Sequence, residues 1–239
     1  MIVAIDAGNT RIKWGAHDGT AWIAQGALPS TEAAGLAGLA AGWPDAARIV
    51  ACNVAGEAVG EAIGAALAPR FAQPLWLRSS AGICGVRNAY EQPEQLGADR
   101  WAALIGAHGL TASACLVVCA GTATTVDWLD AGGDFRGGLI LPGVDLMRAS
   151  LARNTAQLPL AEGEFRCAPR TTMDAIVSGC LYAQIGAIER MFTALATQPG
   201  AICLLTGGAA QRIAPHLNIP CQRVDNLILD GLVRFGTSQ

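Results

Sequence analysis

The residues best placed to do chemistry stand at the start of the chain, in Met1–Gly15, MIVAIDAGNTRIKWG. An apolar run, Ile2-Val3-Ala4-Ile5, ends on Asp6. Ala7-Gly8-Asn9-Thr10 then reads as a tight turn before a second apolar run with Arg11 and Lys13 among its first residues. Branched residues in runs of this length predict strands, and Gly8-Asn9 is expected to supply the positive-φ positions of a tight hairpin. A carboxylate at a strand tip among small residues suits a metal-bound polyphosphate. Turn amides can approach the phosphates, a hydroxyl can donate to them, and the carboxylate can hold a hydrated Mg²⁺. The same residues also describe an ordinary hairpin with an Asp-initiated turn, so the stretch needs support from elsewhere.

A partial repeat supplies it. Leu116-Val117-Val118-Cys119-Ala120-Gly121-Thr122 has the shape of Val3-Ala4-Ile5-Asp6-Ala7-Gly8-Asn9 at an offset of 113 residues. An apolar strand again runs into Ala-Gly and a small polar residue, and a further strand through Thr124, Thr125, Val126 and Asp127 is expected next.

The elements that must position these turns follow from pattern and punctuation. Thr20–Gly26 offers a third strand, and Ser30-Thr31-Glu32 precedes an Ala/Leu-rich helix with Ser30 or Thr31 as its cap. Arg48–Cys52 reads as a strand, Asn53–Ala68 as a helix stopped by Pro69, and Leu75–Leu77 as a strand. Asn88–Gln95 is a polar loop carrying Tyr90, after which Leu96–Arg100 opens a helix to about His108. In the second half, Phe135–Leu141 and Ile202–Leu205 are strands, while Val144–Asn154, Thr172–Ala196 and Leu227–Phe235 are helical. Gly207-Gly208-Ala209-Ala210 is expected to open one more helix. Two halves that each begin strand–Gly turn–strand predict a duplicated α/β domain, 1–113 and 114–239, with the two turns meeting across a central cleft.

Composition narrows the classes. Hydrophobic residues make up 52% and charged ones 15% of 239 residues, which favours an extensive core over disorder. A net charge of −3 without a basic cluster argues against a nucleic-acid surface. The eight cysteines form no Cys-x-x-Cys, several sit in apolar runs, and the first residues lack signal-peptide character, so buried reduced thiols in a cytoplasmic protein are expected. The weakly charged window Leu104–Val126 is interrupted by glycines, His108 and threonines and reads as buried core rather than a membrane span. His17, His108 and His216 have no metal-site spacing, and the six tryptophans are scattered as core residues would be.

Asp6-Ala7-Gly8-Asn9-Thr10 with Lys13, Gly97-Ala98-Asp99-Arg100, Ala120-Gly121-Thr122-Ala123-Thr124-Thr125-Val126-Asp127, Gly137-Gly138 with Pro142-Gly143, and Thr206-Gly207-Gly208-Ala209 occur in that order. On these motifs the chain resembles the type III pantothenate kinases, which include proteins first described as Bvg accessory factors, over nearly its whole length. The resemblance implies duplicated actin-like (ribonuclease H-like) domains around an ATP cleft. It also implies ATP-dependent phosphorylation of pantothenate to 4′-phosphopantothenate, the entry step of coenzyme A synthesis, and a homodimer with an interface at Pro142–Leu158 and the long helix after it. By the same resemblance Asp6 is the partner of hydrated Mg²⁺. The stretch Ala7, Gly8, Asn9, Thr10, Arg11, Ile12 and Lys13, with Gly121 and Thr122, faces the ATP phosphates, and Gly207 and Gly208 face the adenosine side. Asp99 is the expected base for the substrate hydroxyl, and Arg100 offers a fork to the pantothenate carboxylate. Tyr90, Gly97, Ala98 and Thr172 complete the pantothenate contacts. Tyr90 is also readable as a packed loop aromatic, Thr172 as a helix cap, Asp99 as a cap, Arg100 as a surface ion-pair member and the two glycines as a packing turn. Relatives carry Asp where this chain has Cys119, and a neutral thiol is a poor ligand for K⁺ or NH₄⁺, which puts the family's monovalent cation in doubt. Two other readings keep the phosphate turns: another small-molecule kinase or phosphatase of the same superfamily, and a catalytically idle nucleotide-binding regulator.

Overall fold

A computed structural model describes residues 1–160 and 162–239. Its strands are β1 (Ile2–Ala7), β2 (Arg11–His17), β3 (Trp22–Pro29), β4 (Arg48–Asn53), β5 (Leu75–Trp76), β6 (Gly82–Ile83) and β7 (Val86–Asn88). Then come β8 (Cys115–Ala120), β9 (Ala123–Leu129), β10 (Asp134–Pro142), β11 (Ile202–Thr206) and β12 (Cys221–Arg223). The α-helices are α1 (Leu36–Ala40), α2 (Glu57–Leu67), α3 (Ala98–Leu110), α4 (Val144–Asn154), α5 (Thr172–Phe192), α6 (Ala210–Ile213) and α7 (Leu227–Thr237).

Contacts divide the chain into two compact units. The first holds Met1–Ala112, Gly133–Phe135 and Asn226–Gln239, and the second holds Ser113–Gly132 and Arg136–Asp225. This differs from one cut near residue 113 chiefly in where the last helix belongs.

In the first unit the sheet order is β3-β2-β1-β4-β5. β1 is antiparallel to β2 and parallel to β4. One face carries Val3, Ile5, Ala7, Ile12, Trp14, Ile49 and Ala51 into a core with Leu36, Ile63 and Leu67. The other face is covered by α7, whose Gly236 lies against Val50 and Ile2. Burial on both faces is why β1 reads as a continuous apolar run rather than an alternating one. α7 returns to this unit because it packs closely on α3. A Cβ on Gly231 would fall 1.8 Å from the Ala102 carbonyl oxygen, and one on Gly106 would fall 2.3 Å from that of Leu227.

The second unit has the order β12-β11-β8-β9-β10. Counted within its own unit, each sheet therefore runs third-second-first-fourth-fifth. In each the first pair is antiparallel and the first and fourth strands are parallel. The duplication expected from the two turns is present in the strand order and in the pairing. The core of this unit gathers Leu116, Val118, Val126, Cys203 and Leu205 under α5 residues such as Val177, Leu181 and Ile188.

Several local expectations change. Neither Gly8 nor Asn9 has a positive φ; the three-residue turn closes instead through Gly8 N–H to the Arg11 carbonyl at 3.1 Å. Ser30 opens a 3₁₀ turn (Ser30–Gly35) and makes no cap bond there, because its hydroxyl donates to the Gly8 carbonyl at 2.6 Å. The helix after β4 starts at Glu57, since Asn53 holds a turn by donating to the Gly56 carbonyl and accepting from Ala55 N–H. The cap of α5 is Thr171, whose hydroxyl accepts from Asp174 N–H at 3.1 Å, and Thr172 is the first helical residue. None of the eight cysteines forms a disulfide, and four are buried, but Cys167 is exposed.

Candidate active site

In the first unit the parallel strands β1 and β4 end side by side, with Asp6 in register with Cys52 and Ala7 with Asn53. The carboxyl ends of parallel strands are where open α/β sheets bind ligands, because the backbone groups there are freed from the ladder. Across the hairpin, Asp6 is in register with Lys13, so carboxylate and ammonium share one face. Asp6 is 6% exposed. The Cys52 thiol donates to its Oδ1 at 3.6 Å. Burial pushes the Asp6 carboxyl from 3.8 up to about 6, the Asp99 charge adds to the rise, and Lys13 and the Cys52 hydrogen bond oppose it. Burial and the two carboxylates also hold the Cys52 thiol well above its usual range, which keeps it a donor.

The rest of the opening motif divides. Asn9 and Thr10 are exposed at the tip, and Lys13 is exposed beside them. Arg11 is exposed too, with its carbonyl closing the turn onto Gly8 N–H. Ala7 and Ile12 are register partners and fully buried, so their side chains pack the core instead of lining a ligand site. Gly8 is small for a steric reason: a Cβ there would sit 3.2 Å from the Arg11 carbonyl oxygen.

Asp99 and Arg100 open α3, after Gly97. Asp99 Oδ1 accepts from Arg100 N–H at 2.8 Å, which fixes the carboxylate on the first turn. The Asp99 charge acts on both Asp6 and Cys52, so the two strand ends and the helix start form one acidic cluster. Gly97 cannot carry a side chain without moving Asp99, because a Cβ would lie 2.7 Å from its Oδ1. Arg100 is not a surface residue. It is 5% exposed, donates to the Tyr90 hydroxyl at 3.0 Å, and lies 5.7 and 5.8 Å from the ring centroids of Tyr90 and Phe135. Tyr90 in turn packs on Phe135 with centroids 5.1 Å apart. The structure thus brings Tyr90, Gly97, Ala98, Asp99 and Arg100 together, and Tyr90 is both packed and hydrogen-bonded.

In the second unit three chain segments converge on the β8–β9 turn. Gly121 N–H donates to the Ala123 carbonyl at 3.0 Å, leaving Gly121-Thr122 as the two-residue tip. Gly143 N–H donates to the Thr122 carbonyl at 2.9 Å, and a Cβ on Gly143 would meet the Gly121 carbonyl oxygen at 2.2 Å. Gly207 has a φ of +99° and lies so close to Ala120 that a Cβ would fall 2.4 Å from its carbonyl oxygen. That carbonyl accepts from Ala209 N–H at 3.0 Å. Gly208 beside it is exposed with open space around its Cα. The helix after these glycines is short, α6, and continues into a 3₁₀ turn at Ala214–His216.

Cys119 occupies in β8 the position Asp6 has in β1, in register with Thr125 on one side and Thr206 on the other. Asp127 pairs with Val117, one step deeper on the same face, and is fully buried. The Cys119 thiol supplies no hard ligand for a monovalent cation, and the hard groups beside it are Thr125, Thr206 and Asp127. Mg²⁺ fits the first unit better. A buried carboxylate whose charge is only partly balanced, beside exposed turn residues, matches an ion that keeps its waters and needs few protein ligands. Among the described residues no cluster of three His, Cys, Asp or Glu side chains could hold a metal without such help. Thr172 is exposed at the start of α5 and borders a cavity of about 600 Å³ lined by Pro142, Met147, Leu151, Leu158, Ile176 and others.

Sequence reasoning missed Cys52 and Ser30, which touch Asp6 and Gly8. The signal for Cys52 lay in the parallel register of two strand ends, and no signal for Ser30 lies in local pattern because it acts 22 residues away.

Comparison with known proteins places the whole chain. The family model for type III pantothenate kinase matches residues 2–194. A type III pantothenate kinase of Aromatoleum aromaticum is 61% identical over 97% of this chain and 96% of its own length. That of Azoarcus sp. is 53% identical over 97% and 89%. Among solved structures, a conserved putative Baf family transcriptional activator from Campylobacter jejuni superposes with a TM-score of 0.66 at 20% identity, covering 98% of this chain and 97% of that one. A putative 2-dehydro-3-deoxygalactonokinase from Sinorhizobium meliloti gives 0.62 at 17% identity over 98% and 97%. At those identities the structural likeness speaks for the fold alone, and with the repeated strand order it is the duplicated actin-like fold. By family model and by full-length identity, the chain belongs to the type III pantothenate kinases.

Proposed function

We propose that the protein transfers the terminal phosphoryl group of ATP to the 4′-hydroxyl of pantothenate. The observation that carries this reading is the cluster of Asp6, Asp99 and Lys13, with Tyr90 and Arg100 joined at the same helix start. Phosphoryl transfer has a loose transition state and asks for alignment and charge stabilisation rather than covalent participation.

Asp99 accepts the hydroxyl proton. Arg100 N–H engages its Oδ1, and Oδ2 is the oxygen assigned to the substrate proton. Lys13 and the exposed tip at Asn9-Thr10 meet the phosphates, and the family resemblance assigns Gly121, Thr122, Gly207 and Gly208 to the nucleotide as well. Asp6 would hold a hydrated Mg²⁺, which would supply positive charge to the phosphate oxygens. Arg100 and Tyr90 bind the pantothenate end distant from the reacting hydroxyl, with Tyr90 fixing the guanidinium plane. Cys119 is assigned no part in holding a monovalent cation.

The protein acts as a homodimer in this reading. Close in sequence to residues that line the apolar cavity between α4 and α5, Ile140, Leu146, Leu160 and Met173 are exposed, and a second copy would cover them. Thr172 borders that cavity, so its pantothenate role depends on the assembled dimer. Cysteines that form no disulfide suit a reducing cytoplasm.

The test is product identification. The purified chain, given ATP, Mg²⁺ and pantothenate, should yield a phosphate monoester of pantothenate by mass spectrometry, with ADP in equal amount. ATP consumption without that ester, or an ester formed equally well on a simple sugar, would overturn the reading.

A further inference from the structure

Cys203 in β11 and Cys221 in β12 are register partners on adjacent parallel strands. Partners in register point to the same face, and both side chains here meet one apolar core. Cys203 is fully buried inside it and Cys221 half-buried at its border. Neighbouring strands lie about 4.8 Å apart, within the roughly 4.4–6.8 Å between Cα atoms that a disulfide spans. Closing a bond between these two residues therefore requires little backbone movement.

The pair is also asymmetric. β12 is the edge strand, three residues long, so a small oxidant can reach Cys221 while Cys203 is shielded. The Cys221 side chain beside it, and then burial, push the Cys203 thiol up, while the neighbouring Cys203 side chain holds Cys221 below its ordinary range. Cys221 is thus the better thiolate, and Cys203 the neighbour poised to resolve it.

We propose that Cys203 and Cys221 are an oxidation site, a dithiol that hydrogen peroxide converts to a disulfide. The Cys221 thiolate attacks the peroxide O–O bond and takes one oxygen as a sulfenic acid, and the second oxygen leaves as water after protonation. The Cys203 sulfur, losing its proton, then attacks the Cys221 sulfur; the S–O bond breaks and a second water leaves. In sum two thiols lose two hydrogens and one peroxide is reduced to two waters. Cys115, on the neighbouring strand, lies one position out of register with Cys203 and so points to the opposite face, which leaves Cys203 with one partner for this reaction.

The experiment treats the intact protein with a small molar excess of hydrogen peroxide, alkylates the remaining thiols under denaturing conditions, digests, and maps cysteines by mass spectrometry. Exposed Cys167 gauges delivery of the oxidant. The expected result is a linked pair of peptides carrying Cys203 and Cys221, two hydrogens lighter than the free thiols, with alkylation at both sites lost and then recovered after dithiothreitol. In Cys203→Ala, Cys221 should instead accumulate a sulfenic acid trapped by dimedone. In Cys221→Ser, Cys203 should remain fully alkylatable. Recovery of both thiols in wild type under conditions that oxidise Cys167 would overturn the proposal, as would a Cys221 linkage to any other cysteine.

Discussion

Asp6 is held at a cost that pH should reveal. Its carboxyl titrates near 6 in the folded chain against 3.8 in the ordinary state, chiefly because burial disfavours the anion. The folded state therefore binds this proton more tightly than the unfolded state. The associated stability is fully present below pH 3.8 and is lost as pH rises through about 6. The difference corresponds to about 3 kcal/mol at most. Asp6→Asn in the ligand-free protein should be more stable than wild type at pH 8 by about 1–3 kcal/mol, with the gap closing toward pH 4. Urea denaturation at both pH values checks this, and an unchanged gap would show that burial does not set the cost. The site is destabilised where the divalent ion and phosphates are proposed to bind, as expected of a position selected for ligand charge.

Cys119 makes a second residue-scale claim. With a thiol between Thr125 and Thr206, turnover should be indifferent to replacing K⁺ by a large organic cation at constant ionic strength. Cys119→Asp should introduce stimulation by K⁺. Strong K⁺ dependence in wild type would locate the cation elsewhere.

At the scale of elements, close backbone approach decides where α7 packs. Gly231→Ala places a methyl group inside the Ala102 carbonyl contact at 1.8 Å, and backbone cannot yield as a flexible side chain would. A loss of about 3 kcal/mol or more is expected, read as a lower melting temperature. Gly208→Ala, with open space around it, should melt close to wild type. The contrast explains how much of the fold was legible. Alternating strands and helices, and the repeat at Leu116, came from local pattern, and the matched strand orders bear it out. The return of α7 to the first unit did not, because a helix's apolar stripe does not name its partner. The two-residue strands β5 and β6 exist through pairing rather than propensity, so composition marks them weakly or not at all. The turn at Gly8 was foreseen for the wrong reason, left-handed φ instead of crowding by the Arg11 carbonyl. The site was readable where it rests on short motifs. Where it rests on register, as for Cys52 on Asp6 and Ser30 on Gly8, it was not.

At the scale of the whole molecule the claims are assembly and turnover. Exposed Ile140, at 66%, and Leu160, at 63%, are large apolar surfaces that a monomer would leave in water. Ile140→Asp should shift sedimentation from dimer toward monomer and lower activity with it; a wild type that is fully active as a monomer would contradict the dimer. The account as a whole turns on Asp99. The most direct measurement is ADP release with saturating ATP and pantothenate, comparing wild type with Asp99→Asn of equal melting temperature and undiminished ATP binding. A fall in kcat of about 100-fold or more is expected from loss of the base. Turnover of Asp99→Asn at the wild-type rate would contradict it.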